Sequence, residues 1–517
     1  MNGAECLLRT LLANEVDLCL MNPGTSEMQF VSALDRVAGM RGVLALFEGV
    51  CSGAADGYAR MRGKPAATLL HLGPGLGNAL ANFHNARKAL SPVVNIVGEH
   101  STQHLGHDAP LTADIEAFAR PVSGWIRTLE CATRMGEAAS AAVAAASGPP
   151  GKVATLIVPA DFSWSEAGDT GTPLVRSSRG LPSGERVCEI ARALRSGRSV
   201  GLLLSGSGLG IRGLRAAARL RAATGVKVFA NRNSARMARG GDIPFAERIP
   251  YFPEAAQTLL VGFECLILVE AKPPVSFFGY PGVPSTLAPP GCAFGVLASE
   301  AQDGAGALEW LANEIGAPML VAVPCLPRPA LPVGEPLTAA TIGKTVAALV
   351  PDGAIFSDES ISCNEQIWQQ LANAPRHDYL PVSGGSIGQG LPVAVGAALA
   401  CPDRKVVALE ADGSAMYTLQ SLWTMARERL DVTVVILANR RYRILDIEMQ
   451  RTGAGPVGPR ADKMFGLTDP EPDWIRISEG FGVQAVRART SDEFIREFEA
   501  AMRQRGPMLI EAVLGNV

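Results

Sequence analysis

Short apolar runs alternate with longer amphipathic stretches along almost the whole chain, and this alternation constrains the fold more than any other feature. Parallel strands that are buried on both faces have near-continuous apolar sequences, and each needs a crossover helix before the next strand. The pattern therefore predicts an α/β chain of mostly parallel sheets flanked by helices. The clearest apolar runs are 18–21, 66–71, 93–97, 153–158, 200–205, 259–269, 354–357, 406–410 and 432–438.

Two stretches interrupt the alternation and divide the chain. Residues 168–185 are polar and rich in Pro and Gly, and residues 322–336 contain five prolines, which suits an extended connector. A chain of 517 residues is also too long for a single core. We therefore predict three domains, with the middle one Rossmann-like. Their predicted bounds are 1–168, 186–320 and 337–517.

Composition narrows the class of protein. The net charge of −3 gives no reason to expect a nucleic-acid partner or an anionic membrane surface. The ten cysteines are scattered, without a C-x-x-C pair, as expected for reduced thiols in the cytoplasm. The amino terminus lacks a basic-then-apolar signal pattern, and the run 259–269 is too short to span a membrane and predicts a buried strand. A cytoplasmic enzyme is the expectation.

The sequence from Glu410 to Ser414 carries the strongest chemical signal. Asp412 ends an apolar run, Gly413 and Ser414 open a helix whose amides can receive a phosphate, and Asn439 ends the next apolar run. The carboxyl ends of neighbouring parallel strands lie at one edge of a sheet, where ligands bind. Carboxylate and amide oxygens suit Mg²⁺, which often takes few protein ligands and completes its shell with phosphate oxygens.

A second element combines Glu48 with the small residues that follow it, up to Tyr58-Ala59-Arg60. A lone glutamate between an apolar strand and a small-residue helix is expected to be poorly solvated. A third element is the glycine-rich loop from Gly385 to Pro392, with Ile387 at its centre.

Together these elements resemble the thiamine diphosphate-dependent decarboxylase and carboligase superfamily, over nearly the whole chain. Asp412 to Asn439 resembles its G-D-G-x…N-N signature, with Ala411 and Arg440 as departures. The resemblance implies a pyrimidine-binding domain, a middle domain and a diphosphate-binding domain, in that order. It also implies Mg²⁺ held by Asp412, Asn439 and the Arg441 carbonyl. The implied cofactor contacts are Glu48, Ser362, Gly385, Ile387, Asp412, Gly413, Ser414, Asn439 and Tyr442.

In this superfamily the residue at Glu48 contacts the aminopyrimidine ring, and the one at Ile387 enforces the bent cofactor shape. Benzoylformate decarboxylase is similar around Asn22–Glu27 and at His71, which implies that Ser26 holds the substrate carboxylate and that His71 transfers protons. The second active-site histidine of that enzyme has no counterpart in Val275–Tyr280.

The implied reaction is non-oxidative decarboxylation of a 2-oxo acid, through an enamine, with release of an aldehyde. An acetolactate synthase-type carboligase, an FAD-dependent oxidase and an inactive cofactor-binding homologue are the alternatives. The Gly206–Gly210 turn is a weak dinucleotide signal, and we expect it to bind nothing. In relatives the two cofactor-binding domains meet across a subunit interface, so a homodimer at least, and more commonly a homotetramer, is expected. His100, His104 and His107 are expected to line the substrate entrance rather than to bind a metal.

Overall fold

The computed structural model describes residues 1–175 and 177–515, and it has the predicted α/β architecture of three sheets flanked by helices. The amino-terminal sheet is entirely parallel, which agrees with the doubly buried character of its strands. Its strands are β1 (Leu18–Asn22), β2 (Arg41–Leu44), β3 (Ala66–His71), β4 (Val93–Glu99), β5 (Trp125–Thr128) and β6 (Val153–Pro159). They lie in the order β2-β1-β3-β4-β6-β5. The accompanying helices are α1 (Gly3–Ala13), α2 (Met28–Ala33), α3 (Glu48–Arg62), α4 (Leu72–Lys88), α5 (Ile115–Ala119), α6 (Met135–Ser147) and α7 (Ala160–Trp164).

The middle part of the chain forms a five-stranded parallel sheet. Its elements in chain order are α8 (Gly184–Arg195), β7 (Val200–Leu204), α9 (Ile211–Thr224), β8 (Lys227–Ala230), β9 (Met237–Arg239), β10 (Glu247–Arg248), α10 (Pro253–Leu260), β11 (Cys265–Val269), β12 (Ala293–Ala298) and α11 (Gly304–Ile315). Five of these strands give the order β10-β8-β7-β11-β12, and β9 belongs elsewhere.

The carboxy-terminal part contributes six strands to a seven-stranded sheet. They are β13 (Ala354–Glu359), β14 (His377–Pro381), β15 (Val406–Ala411), β16 (Val432–Ala438), β17 (Gln484–Ala488) and β18 (Met508–Val513). The order is β17-β18-β16-β15-β13-β14-β9. The helices are α12 (Ala339–Leu349), α13 (Asn364–Gln370), α14 (Gly390–Ala400), α15 (Asp412–Ala415), α16 (Ser421–Arg427), α17 (Arg443–Arg451), α18 (Pro459–Phe465), α19 (Trp474–Gly480) and α20 (Ser491–Arg503).

The strand β9 crosses the predicted division of the chain. It pairs antiparallel with β14, so a piece of the middle segment completes the carboxy-terminal sheet. Arg239, at its end, is buried, and its guanidinium lies over the ring of Trp368 and donates to the Trp368 carbonyl. The middle segment is therefore anchored to the last domain by backbone pairing as well as by the chain connection.

The helices α3 and α14 join the first and last domains through small residues. A Cβ on Gly57 would lie 2.8 Å from the Val393 Cα, and one on Gly396 would collide with the Ala54 carbonyl. Glycine at these positions lets two helix backbones approach closely. Because Glu48 begins α3 and the Ile387 loop precedes α14, this contact fixes the two elements relative to each other.

One predicted strand is only half right. The run 259–269 was expected to form a single buried strand, whereas its first two residues end α10 and only Cys265–Val269 forms β11. Gly262, with φ of 82°, makes the turn between them, and Val261 is exposed. An apolar run does not distinguish a helix end followed by a strand from one long strand.

Candidate active site

Asp412 and Asn439 lie at the carboxyl ends of two paired strands. Asp412 follows β15 and Asn439 follows β16, as the sequence predicted. The Asp412 carboxylate accepts backbone N–H groups from Gly413 at 2.9 Å and from Arg440 at 2.5 Å. The Asn439 Oδ1 accepts the Arg441 N–H at 3.0 Å. Backbone amides thus orient both side chains at one edge of the sheet.

This pair fits a magnesium ion and its diphosphate. Asp412 is buried, and burial raises its pKa to about 6, against the opposing effect of the Arg440 and Gly413 amides. Hard oxygen donors, a carboxylate and an amide carbonyl, face the same edge, which is the donor set that Mg²⁺ prefers. The carbonyl of Arg441 accepts the Arg443 N–H at 2.8 Å, and its role as a third ligand remains a prediction.

The basic residue that departs from the family signature does not fill this site with its side chain. The Arg440 backbone is left-handed, with φ of 58°, and its guanidinium pairs with Glu471 at 2.5 Å. The neighbouring Arg441 pairs with Asp446 and Asp462. Both guanidinium groups form ion pairs with carboxylates other than Asp412. The arginine at position 440 therefore leaves the oxygens of Asp412 and Asn439 unobstructed.

Gly413 and Ser414 open a helix, as predicted, but α15 is only four residues long. Such a short helix contributes individual N–H groups rather than a helix dipole. The ring of Tyr442 lies directly against Gly413, where a side chain would collide with it. Ser414 is buried beside Asp412. This part of the site is a tight cradle formed by backbone and one aromatic ring.

The Ile387 loop is held rigidly from two sides. Gly385 and Gly388 have φ of 82° and 87°, and a Cβ on Gly385 would collide with the ring of Phe277. Asn85 exchanges hydrogen bonds with Ser386, donating at 2.8 Å and accepting at 3.2 Å. Ile387, Gly385 and Ser362 line one cavity of about 470 Å³ with Phe277, Phe278 and the helix α17. A fixed apolar side chain on a bent loop suits the supporting role expected of Ile387.

Two buried carboxyl groups lie behind this loop, and the sequence analysis missed them. Glu359 accepts the N–H groups of Gly388 and Gly390 at 2.7 and 2.5 Å, so it shapes the Ile387 loop. Its register partner Glu410 is fully buried, and neither of its carboxyl oxygens has a partner among the described residues. Burial raises the pKa of Glu410, and the adjacent Glu359 raises it further. Both effects favour the neutral form of the Glu410 carboxyl group.

Glu48 begins α3 and is nearly buried, with 8% of its surface exposed, which confirms the expected poor solvation. Its two carboxylate oxygens accept amide protons from Asn22 at 3.2 Å and from Asn78 at 2.9 Å. Asn22 ends β1 and Asn78 lies in α4. Two neutral amides therefore fix the direction of the carboxylate without adding a charge beside it.

His71 ends β3 and is oriented by a residue that the sequence analysis did not single out. The Nδ1 of His71 lies 2.9 Å from the carboxylate of Glu27, which also accepts the Gly24 N–H at 2.7 Å. Burial raises the pKa of Glu27, against the opposing effects of His71 and the Gly24 amide. A carboxylate at Nδ1 holds the proton there and leaves Nε2 for other partners. No local pattern identified Glu27, because its partner is 44 residues away.

Glu48 and His71 lie close together in the first domain. A Cβ on Gly75 would lie 3.5 Å from the Glu48 carboxylate and 3.6 Å from the His71 Cβ, so both flank the same glycine. Ser26 is placed differently. It lines a small internal cavity with Leu7, Phe30 and Ser163. Its role as a holder of the substrate carboxylate remains a prediction.

The predicted residues thus form two groups. Glu48 and His71 lie at the edge of the amino-terminal sheet, and Asp412, Asn439, Ser362 and Ile387 lie around the carboxy-terminal one. Within the described part of one chain, the hydrogen-bond partners of Glu48 all belong to the first domain and those of Asp412 to the last.

Family models match both groups. Residues 1–118 match the thiamine pyrophosphate enzyme N-terminal TPP binding domain, and residues 360–512 match the C-terminal TPP binding domain. Together they cover more than half of the chain. The chain belongs to the thiamine pyrophosphate enzyme family. The cofactor of this family is thiamine diphosphate, and its members include decarboxylases and acetolactate synthase-like carboligases.

Individual relatives extend over the full length. A Mycobacterium tuberculosis protein named "Putative acetolactate synthase large subunit IlvX" is 49% identical over 100% of both chains. Benzoylformate decarboxylase of Pseudomonas aeruginosa is 30% identical over 95% of this chain and 94% of its own. The structure of 4-hydroxybenzoylformate decarboxylase from Rhodococcus jostii superposes with a TM-score of 0.86, at 25% identity and with complete coverage of both chains.

The glycine-rich turn of the middle domain, Gly206–Gly210, contacts a carboxylate of the same domain. Glu270 directly follows β11, accepts the Gly304 N–H at 2.8 Å and pairs with Arg179 at 2.7 Å. It also accepts the hydroxyl of Ser207, and a side chain on Gly206 would collide with it. The Glu270 carboxylate therefore lies against the turn that carries the weak dinucleotide signal. Among the described residues no helix is both long and apolar enough to cross a membrane.

Proposed function

We propose that this protein decarboxylates a 2-oxo acid without oxidation and releases an aldehyde, using thiamine diphosphate and Mg²⁺. The observation that carries the proposal is the Glu27–His71 pair beside Glu48. Simple decarboxylation needs a proton delivered to the carbon that loses CO2, whereas ligation to a second carbonyl compound does not. A histidine oriented by a buried carboxylate is suited to deliver it.

The proposed cofactor contacts follow from the two groups of residues. Asp412 and Asn439, with the Arg441 carbonyl, would hold Mg²⁺, and the amides of Gly413 and Ser414 would face the diphosphate. Ser362, Gly385 and Tyr442 would complete that end, and Ile387 would support the bent middle of the molecule. When bound, thiamine diphosphate supplies a carbon nucleophile and an electron sink for decarboxylation.

The remaining steps belong to the side chains of this chain. Glu48 would share a proton with the aminopyrimidine ring, and Asn22 and Asn78 keep its carboxylate aimed. Glu27 keeps the His71 Nε2 free to give a proton to the substrate. Ser26 would hold the substrate carboxylate if its segment turned toward the site. The apolar wall formed by Ile387, Phe277 and Phe278 would exclude water from the reacting carbon.

A homodimer, and by analogy with relatives a homotetramer, is proposed as the functional unit. The support is that the hydrogen-bond partners of Glu48 and of Asp412 lie in different domains of one chain, and that in relatives these two domains meet across a subunit interface. Co-expression of Glu48→Gln and Asp412→Ala chains under different tags tests this. Mixed dimers would contain one intact site out of two and recover about half of the activity. Mixed dimers as inactive as each parent would place the whole site within one chain.

A carboligase is the second candidate, because the 49% identical relative carries an acetolactate synthase name. The deciding experiment offers pyruvate, branched 2-oxo acids, benzoylformate and phosphonopyruvate to the loaded protein and measures CO2 together with the organic product. We expect CO2 and aldehyde in equal amounts with at least one acid. Acetolactate without acetaldehyde from pyruvate would overturn the decarboxylase proposal in favour of ligation.

All ten cysteines are free thiols, which supports a cytoplasmic location.

A further inference from the structure

The proposed reaction leaves one proton movement without a residue. After CO2 departs, one proton must be added to carbon, and another must leave the neighbouring hydroxyl as the aldehyde C=O forms. His71 accounts for one of them. The middle-domain stretch 275–280 contains no histidine. The following inference rests on the proposed function and concerns the group that carries the second proton.

His100 lies at the same sheet edge as His71. The strands β3 and β4 are adjacent and parallel, and His71 is in register with Gly98. His100 comes two residues after Gly98, directly beyond the end of β4. Neighbouring strands are about 4.8 Å apart, so the two histidines emerge side by side. The two side chains also interact electrostatically, because a charge on His71 lowers the pKa of His100.

The side chain of His100 is half-buried, and its Nε2 is an exception among buried polar atoms. This nitrogen is shielded from solvent and has no hydrogen-bond partner among the described residues. A buried polar atom without a partner calls for an explanation, and an unfilled role toward substrate is one of the few available. His104 and His107, further along the same loop, are exposed.

The base of the loop is anchored, so His100 has a defined position. Its own N–H donates to the Glu99 carboxylate at 2.7 Å. Two residues later, Thr102 donates both its N–H, at 2.9 Å, and its hydroxyl, at 2.6 Å, to Asp161 at the start of α7. These contacts hold the loop immediately after His100 against the domain.

The two histidines have different surroundings. The Nδ1 of His71 lies 2.9 Å from the Glu27 carboxyl group, whereas the Nε2 of His100 has no partner among the described residues. Burial lowers the pKa of His100, and the charges of His104 and His71 lower it further. Neighbouring groups whose environments differ in this way are suited to act as an acid and a base.

We propose that His100 is the second proton-transfer residue, with its Nε2 accepting the substrate hydroxyl proton while His71 serves as the acid. The C–C bond to the carboxylate breaks and CO2 leaves. The His71 Nε2 then gives its proton to the remaining carbon, which forms the aldehyde C–H bond. The His100 Nε2 takes the proton of the hydroxyl, which the 2-oxo oxygen would have gained from solvent while the adjacent carbon was bonded to the cofactor. The C=O bond would form as the bond between that carbon and the cofactor breaks, and both rings re-equilibrate with solvent. Overall, one 2-oxo acid anion and one proton give one aldehyde and one CO2.

The kinetic test compares His100→Gln with Glu130→Gln, an exposed change in the same domain. We expect turnover of His100→Gln to fall by about 100-fold or more, in the range for general acid–base groups. Cofactor affinity should stay unchanged, because His100 lies away from the Asp412 group. Glu130→Gln should keep wild-type turnover. Full turnover by His100→Gln, with wild type active, would overturn the assignment while leaving the decarboxylase proposal intact.

A second measurement needs no turnover. The ring carbons of the six histidines, labelled with ¹³C in the full-length protein without cofactor, are titrated by NMR. The resonance lost in His100→Gln identifies His100, and its pKa should lie below the ordinary value and rise in His71→Asn. A His100 pKa that is unchanged by His71→Asn would overturn the acid–base pairing. If wild type decarboxylates no 2-oxo acid, the proposed function fails and this titration alone decides whether the two rings are coupled.

Discussion

The amino-terminal and carboxy-terminal sheets use the same edge for different chemistry. In the first sheet, β1, β3 and β4 end next to one another and place Asn22, His71 and His100 at their carboxyl ends. In the last sheet, β16, β15 and β13 do the same with Asn439, Asp412 and the segment that contains Ser362. The positions correspond, but in the proposed function the two histidines of the first set would exchange protons, whereas the second set would offer fixed oxygens and backbone amides.

The contrast extends to how each edge is supported. In the first domain side chains orient side chains, as with Glu27 on His71 and the two asparagines on Glu48. In the last domain backbone N–H groups orient Asp412, and a carboxyl group orients the Ile387 loop. In the proposed function, the residues that would change their protonation state are thus oriented by side chains, and the residues that would only hold a ligand are oriented by the main chain. The predictions below test this division.

The largest effect is expected at Asp412. Asp412→Ala removes the carboxylate of the proposed magnesium site and should abolish magnesium-dependent binding of thiamine diphosphate, measured by isothermal titration calorimetry. Asp462→Ala, which removes a nearby exposed partner of Arg441, is the control and should bind normally. If Asp412→Ala bound the cofactor as tightly as wild type, the assignment of Asp412 as a magnesium ligand would be wrong.

Glu48→Gln should separate chemistry from binding. The amide cannot exchange a proton as the carboxylate does, so turnover is expected to fall by about 10²- to 10⁴-fold while the cofactor still binds. Calorimetry and CO2 release on the same preparation measure the two effects. Glu130→Gln, an exposed change in the same domain, should alter neither. Full activity with every 2-oxo acid would show that the assignment of Glu48 is wrong.

Glu27→Gln tests a positioning residue. An amide can present an N–H where the carboxylate now accepts one, which disturbs the proton on the His71 Nδ1. We expect turnover to fall by about tenfold to a hundredfold, less than for loss of an acid–base group itself. The pH–rate profile should change shape on its acid side, and Glu27→Asp should restore it in part. A uniform loss at every pH would indicate damage to the fold instead.

The smallest effect concerns a histidine of the last domain that is held neutral. Burial and the charge of Arg239 lower the pKa of His377 to about 3. Its folded value lies below the unfolded one, so its contribution to stability is present above pH ~6.5 and is lost as pH falls toward 3, by about 1.4 kcal/mol per pH unit. The Tm of wild type should therefore drop more between pH 7.5 and 5 than that of His377→Phe. Equal drops in Tm for the two proteins would contradict the predicted effect of His377 on stability.

The sequence predicted the parts of this molecule that depend on short-range pattern. The strand positions, the helix after Glu48 and the meeting of Asp412 with Asn439 followed from apolar periodicity and from the geometry of parallel sheets. Glu27, Glu359 and His100 did not, because their roles depend on which strands become neighbours. Three-residue β9 could not be predicted either, since so short a strand has no periodicity and its partner β14 is distant in the sequence.

The pairing of β9 with β14 has a consequence for modularity. The proline-rich connector suggests a point where the chain could be divided, yet a fragment that began after it would lack β9 and would expose β14 as an open edge. Unpaired edge strands recruit other strands and promote aggregation. The last two domains therefore form one unit of folding, and the sheet that carries Asp412 and Asn439 depends on a segment that lies more than a hundred residues earlier in the chain.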